Sequence, residues 1–323
     1  MTQSLIIYAA SKTIGLGHAC RANNFVTNSL ENIPELTFHV FDYNEFYSPL
    51  SDSIFKWDRD IVRIIHFSSF LDFVEKVKNY DFIIVDLPQI EYPELEVVLN
   101  ETNAVTVAID DITSRRLLVD MNFYPPVPWI KDMDWDSSRG ERYIGYEYYP
   151  LNSRIDEYFR ESDYTKRVAI VFGGTDPYDL TIRFIKSFLM QNVTIEFDMI
   201  IGPFVKLPKN LPENLTIHAS LPQEELFEVF SKSCMAVCAY GVTVFELIRL
   251  QVPAIVVTTA SDHVDSFYSM DLGKEYIAVD NEQFDTQIVS VVEEGFRVNS
   301  VKTKRTRPKR KFKYAEKIFG QKR

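Results

Sequence analysis

The chain has 323 residues, 46% of them hydrophobic and 14% aromatic, which suits two cored domains and argues against disorder. The opening Leu5-Ile6-Ile7 run is too short for a signal peptide, no apolar stretch is long enough to span a bilayer, and Cys20, Cys234 and Cys238 form no metal-spaced or disulfide-like framework, so a reducing cytoplasm is expected. The net charge of −11 is a +10 end, residues 301–323 with eleven Lys and Arg against Glu316, on a body of −21 that repels nucleic acid.

In chain order, residues 5–10 read as a strand, 18–31 as a helix, 36–43 as a strand and 57–78 as a long helix. Residues 82–87 (FIIVDL) and 104–110 (AVTVAID) are continuous apolar runs of the kind found in parallel sheets covered on both faces. A patch rich in Pro and Trp follows at 124–135, and 143–154 reads as a crossing into a second half. The pattern restarts at 167–174 (RVAIVFGG), with further strands at 194–202, 215–220, 234–240, 254–260 and 276–280 and helices at 223–232 and 243–250. Strand-helix alternation predicts an α/β chain of two doubly wound domains, residues 1–152 and 153–300, with a basic tail or helix at 301–323. Two such domains facing one another place their strand C-terminal ends toward a shared cleft, where ligands bind. A solvated end is the plain reading of the tail; peripheral contact with anionic lipid is the alternative.

Five motifs fall at strand ends. Gly15-Leu16-Gly17-His18-Ala19-Cys20-Arg21 follows the first strand. Its glycines permit close backbone approach to a ligand. His18 at the helix start is a candidate general base, since imidazole titrates near 6.5, and Arg21 one turn on suits an anionic group. Gly173-Gly174-Thr175-Asp176-Pro177 offers backbone N–H groups to phosphate, or else Asp176 caps the next helix with Pro177 as its first residue. In Gly241-Val242-Thr243-Val244-Phe245-Glu246, Thr243 and Glu246 share a helix face, fitting either a ribose-binding carboxylate or a capping box. Asp110-Asp111 ends a strand; one cap and one arginine pair is the simpler reading than a metal site. Asp262-His263 follows the 254–260 strand, where a ligand-contacting loop or a polar helix start belongs. Cys234 and Cys238 share a strand face and read as core.

The order of these motifs resembles the PseG-like UDP-sugar hydrolases of pseudaminic acid synthesis. Gly15–Arg21 is similar to their GxGHxxR signature, and Val85-Asp86, Ala108-Ile109-Asp110-Asp111 and Val119-Asp120-Met121-Asn122 to their Asp, Asp-Asp and Asp/Asn positions. Gly145 to Leu151, with Tyr148, resembles their Gly-x-x-Tyr segment, Phe172–Pro177 their Gly-Gly-Ser-Asp-Pro loop, and Ala239–Glu246 their Gly-Thr-Thr-x-x-Glu helix. The wider superfamily holds SpsG-type proteins and MurG-like inverting glycosyltransferases.

The resemblance implies a GT-B fold and inverting cleavage of a UDP-linked amino or deoxy sugar in surface-glycan synthesis, without metal or cofactor. It implies His18 as the residue that activates water. Gly15, Gly17, Arg21, Asp110, Asp111 and Tyr148 would face the sugar, joined by Asp262 and His263 from their place after a strand rather than from the resemblance. Gly173, Gly174, Thr175, Asp176 and Gly241 to Thr243 would lie on the diphosphate, and Glu246 on the ribose. Tyr240 and Val242 stand where the family has Gly and Thr, and Ser261-Asp262-His263 replaces its Glu-Asn-Gln. Two alternatives therefore stay open: an inverting polysaccharide glycosyltransferase with a glycan or lipid acceptor, and a non-catalytic sugar-nucleotide binder.

Overall fold

A computed structural model describes residues 2–46, 57–162, 164–189, 191, 193–301, 304–305 and 312–320. The chain divides into two compact units, residues 1–153 with 310–323, and residues 154–309. Among the described residues no helix is long and apolar enough to cross a membrane.

The first unit contains β1 (Gln3–Tyr8), α1 (Gly17–Asn32), β2 (Thr37–Asp42), β3 (Val62–Ile64), α2 (Phe70–Val77), β4 (Phe82–Asp86), α3 (Pro93–Glu101), β5 (Val105–Ile109), β6 (Met121–Tyr124) and β7 (Glu141–Ile144). Its seven strands are all parallel, in the order β3-β2-β1-β4-β5-β6-β7. Side chains alternate across the sheet. Ile6, Tyr8, Phe38, Val40, Phe82 and Ile84 pack toward α1, while Leu5, Ile7, Phe41, Ile83 and Val85 pack with Phe73, Leu95 and Leu99 on the other face. Burial on both faces is why these strands read as unbroken apolar runs.

The helix expected over 57–78 is not one element. Ile61-Val62-Arg63-Ile64-Ile65 is rich in β-branched residues and supplies β3. The Ser69 side chain then accepts from Asp72 N at 3.1 Å and starts α2.

The second unit contains β8 (Arg167–Val171), α4 (Leu180–Leu189), β9 (Glu196–Ile201), β10 (Leu215–Ala219), α5 (Gln223–Lys232), β11 (Met235–Ala239), α6 (Val242–Leu250), β12 (Ala254–Thr258), α7 (Ser261–Ser269), β13 (Tyr276–Asp280) and α8 (Phe284–Asn299). Its parallel sheet runs β10-β9-β8-β11-β12-β13. Cys234 and Cys238 are buried, and burial pushes the Cys234 thiol up to about 11, consistent with a core role.

The basic end does not read as a solvated tail throughout. Residues 314–319 form α9 (Tyr314–Phe319), whose Tyr314, Ala315, Ile318 and Phe319 are buried in the first unit. Tyr314 stacks on Phe25 of α1 at 5.4 Å, and Phe319 meets Phe82 edge-on at 4.8 Å.

Candidate active site

In an open parallel sheet the ligand crevice lies at the strand C-termini where the strand order reverses. In the first unit that point falls between β1 and β4. The loop after β1 turns through Gly15, whose φ of 92° suits a residue without Cβ, and Gly15 N donates to Ser11 O at 2.8 Å. Helix α1 then opens at Gly17 with no side-chain cap, leaving first-turn N–H groups open to a ligand. His18 and Arg21, three residues apart, lie on one face of that turn.

Both reach across the reversal to Asp86, the last residue of β4. His18 Nδ1 lies 2.6 Å from Asp86 Oδ1. Arg21 grips the same carboxylate with two donors, Nε to Oδ2 at 2.7 Å and Nη2 to Oδ1 at 2.5 Å. Its Nη1 donates to Asp110 Oδ2 at 2.6 Å and to the Tyr149 hydroxyl at 2.8 Å. Arg21 Nη2 also sits 3.2 Å from His18 Nδ1. Since Oδ1 accepts from both, we read that approach as two donors sharing one oxygen, with the His18 proton on Nδ1. Nε2 is then the ring nitrogen with a lone pair, the arrangement that suits a general base held by a carboxylate.

Burial alone would raise the Asp86 pKa, but the Arg21 guanidinium and the His18 contact outweigh it and hold the carboxyl below the ordinary aspartate range. Asp110 moves the opposite way: desolvation pushes it up, Arg21 draws it back, and the Asp86 charge adds to the rise. Asp86 is sealed, whereas the His18 and Asp110 side chains keep 18% and 30% of their surface, so these two are the members a ligand can reach.

Two of the expected sugar-facing residues of this unit have other partners within the protein. Asp111 does not point toward a ligand: its Oδ1 accepts from Thr113 N and Oγ1 at 2.8 and 2.6 Å, and its Oδ2 pairs with buried Arg115 at 2.8 Å. Asp110 takes a left-handed φ of 56°, which turns consecutive carboxylates to different partners. Tyr148 packs on Tyr143 at 5.3 Å, and the neighbouring Tyr149 is the tyrosine that meets Arg21. Asn24 and Asn28 of α1 bring Tyr149 there by donating to the carbonyls of Pro150 and Leu151 at 3.3 and 2.6 Å.

In the second unit the strand order reverses between β8 and β11, and the candidate nucleotide motifs occupy the loops after both. Gly173, with a φ of 90°, and Gly174 turn the chain after β8. Asp176 is spent on the helix: its two oxygens accept from Leu180 N and Thr181 N at 2.9 and 2.8 Å. Helix α4 begins at Leu180, so Pro177 is not its first residue. The Gly173-Gly174-Thr175 backbone is what remains for a phosphate.

Helix α6 starts at Val242 behind Gly241, with no side-chain cap. That removes the capping-box alternative for Thr243 and Glu246. Glu246 is instead buried, accepts from Gln223 Nε2 at 3.0 Å, and is pushed by burial to a pKa of about 7 even though Gln223 draws it down. After β12, His263 stacks on Tyr240 at 4.7 Å and its Nδ1 meets Thr259 Oγ1 at 3.2 Å, with burial lowering its pKa. Asp262 lies in the first turn of α7.

No family model matches the chain. A Helicobacter pylori protein described as a pseudaminic acid cytidylyltransferase and UDP-2,4-diacetamido-2,4,6-trideoxy-beta-L-altropyranose hydrolase is 24% identical over 200 residues, 59% of this chain. The aligned region is 36% of that relative's length. Among solved structures, the Neisseria meningitidis UDP-GlcNAc 2-epimerase bound to UDP-GlcNAc superposes with a TM-score of 0.59 at 11% identity over 99% of both chains. Acinetobacter baumannii MurG superposes with a TM-score of 0.55 at 11% identity over 100% of both. The chain therefore has the GT-B fold, and its resemblance to PseG-like proteins in motif order is matched by its similarity to a curated relative whose description includes a UDP-sugar hydrolase.

Proposed function

We propose that this chain is a nucleotide-sugar hydrolase that cleaves a UDP-linked amino or deoxy sugar with inversion. His18 Nε2 takes a proton from water as the water oxygen bonds to the anomeric carbon. The bond from that carbon to the diphosphate oxygen breaks, and UDP leaves with its electron pair. Asp86 fixes the imidazole, while Arg21 keeps Asp86 ionised and Asp110 in place. The open N–H groups at Gly173-Gly174 and at the start of α6 receive the diphosphate, as positive helix ends do. Glu246 accepts from the ribose hydroxyls, and Asp262 and His263 border the sugar. The observation that carries this reading is the Asp86-held imidazole at the sheet's reversal point.

The test is UDP release from UDP-amino sugars without an acceptor. His18→Ala is expected to cut turnover by about 10²–10⁴-fold while UDP affinity stays within about twofold. Normal turnover in that variant removes His18 from the mechanism. UDP release that requires an added glycan or lipid acceptor supports the glycosyltransferase alternative. UDP binding without any turnover supports a silent binder.

The Glu246 assignment makes a pH prediction. A carboxyl that accepts two hydroxyls acts as the anion, yet burial holds it half-protonated near pH 7. UDP should therefore bind about tenfold more weakly at pH 6 than at pH 8, and Glu246→Gln should flatten that dependence to the ligand's own titration. Because the folded pKa lies above the unfolded one, ionisation destabilises the empty protein as pH rises toward 7. The Gln variant should therefore melt no lower than wild type at pH 8. Identical pH profiles in calorimetric titrations of the two proteins would remove Glu246 from the nucleotide site.

A further inference from the structure

The first unit also has a concave site at the outer strand of its sheet. A cavity of about 480 Å³ is lined by Lys131, Arg142, Tyr143, Ile144 and Tyr148. It lies at β7, the outer strand of the sheet, three strand spacings or about 14 Å across the sheet from β4, the strand that ends in Asp86. Lys317 of α9 lies over the Tyr143 ring at 5.4 Å, adding a third cation beside the cavity.

We propose that this cavity binds a phosphate-bearing ligand. Among the described residues, Lys131, Arg142 and Lys317 form no ion pair with a carboxylate, while the nearest acidic side chain along the strand, Glu141, is engaged by the Tyr143 hydroxyl. Lys131 and Arg142, the latter also over the Trp135 ring at 4.9 Å, thus line the cavity, with Lys317 beside its Tyr143, on a chain whose body is strongly acidic. The backbone adds donors. Glu141 N and Gly145 N bond inward to Asp120 O and Tyr124 O at 2.9 and 3.2 Å. By the two-residue alternation of a strand, the N–H groups of Arg142 and Ile144 point outward, along the open edge that lines the cavity. An arginine fork, lysines and outward N–H groups together match a dianionic phosphate better than a singly charged carboxylate.

Tyr148, tilted against Tyr143 at 5.3 Å, supplies an aromatic wall for a sugar or similar body attached to that phosphate. This site goes beyond the cleavage reaction and does not rest on it.

The test is calorimetric titration of the full chain at low salt with inorganic phosphate and with glucose 1-phosphate, alongside sedimentation with phosphatidic acid/phosphatidylcholine vesicles. Saturable binding of the soluble phosphates that weakens at least tenfold in the Lys131→Ala/Arg142→Ala variant, but persists in His18→Ala, supports a free phosphosugar as the source. Vesicle binding that needs phosphatidic acid and is lost in the same double variant, without soluble binding, supports a lipid-borne phosphate. Both side chains are exposed, so the variant should melt with wild type. Absence of binding in both arms, or binding that the double variant leaves unchanged, overturns the proposal. UDP release from His18 chemistry is read separately and survives either outcome.

Discussion

Asp86→Asn should lower UDP release by about 10²–10⁴-fold and destabilise the first unit by about 3–5 kcal/mol. Asp86 has no spare face for an amide. Its Oδ1 accepts from His18 Nδ1 and Arg21 Nη2, and its Oδ2 from Arg21 Nε. An Asn side chain sets an N–H against at least one of those donors and leaves the buried guanidinium under-compensated, with Asp110 as its remaining carboxylate. The imidazole is then free to rotate or to move its proton to Nε2, where it cannot act as a base.

The pH dependence of that stability loss follows from the depressed Asp86 pKa. Its contribution is fully present above the unfolded value near 3.8 and is lost as pH falls through the lower folded value. The gap between wild type and variant in denaturant titrations should stay constant from pH 8 to about 5 and close below about 4. A variant with wild-type turnover and an unchanged unfolding midpoint would show that the carboxylate neither holds His18 nor balances Arg21.

Ending the chain at residue 311 should abolish independent folding of the first unit. Tyr314, Ile318 and Phe319 are fully or nearly fully buried against Phe25, Phe38 and Phe82. Losing three such side chains costs about 2–5 kcal/mol each, against a total stability of about 5–15 kcal/mol. The helix they cover is α1, which carries His18 and Arg21, so activity should vanish with the fold. Tyr314→Phe is the mild control. It keeps the stacking and loses the hydroxyl's contact with Asn28, for a cost of about 1 kcal/mol. A truncated chain that stays soluble with a native melting temperature would show that α9 is dispensable.

The parallel strands were readable because they are buried on both faces and therefore apolar at every position, as in FIIVDL and AVTVAID. Strands β6 and β7 lacked that signal. Met121–Tyr124 is four residues long and runs into Pro125-Pro126, and Glu141-Arg142-Tyr143-Ile144 is a half-exposed edge. His18 and Arg21 were legible from helical spacing after two glycines. Asp86 was visible as a strand-ending acid, but its role depends on pairing across the sheet, which local spacing does not encode. Tyr149 was hidden among Tyr146 and Tyr148, since the choice between them is made by Asn24 and Asn28 holding the chain two residues on. Helix α9 did leave a trace: Tyr314, Ala315, Ile318 and Phe319 follow a helical stripe that the surrounding Lys and Arg obscured.

The first unit takes its closing piece from residues beyond the second, and this has a bearing on how the polypeptide is made. As it leaves the ribosome, residues 1–153 emerge with Phe25, Phe38 and Phe82 still bare. They stay so until about 160 further amino acids have been added and Phe319 has cleared the exit tunnel. The second half, contiguous in the gene, can mature meanwhile. The aromatic surface around α1 thus stays incomplete for as long as the second half is being made.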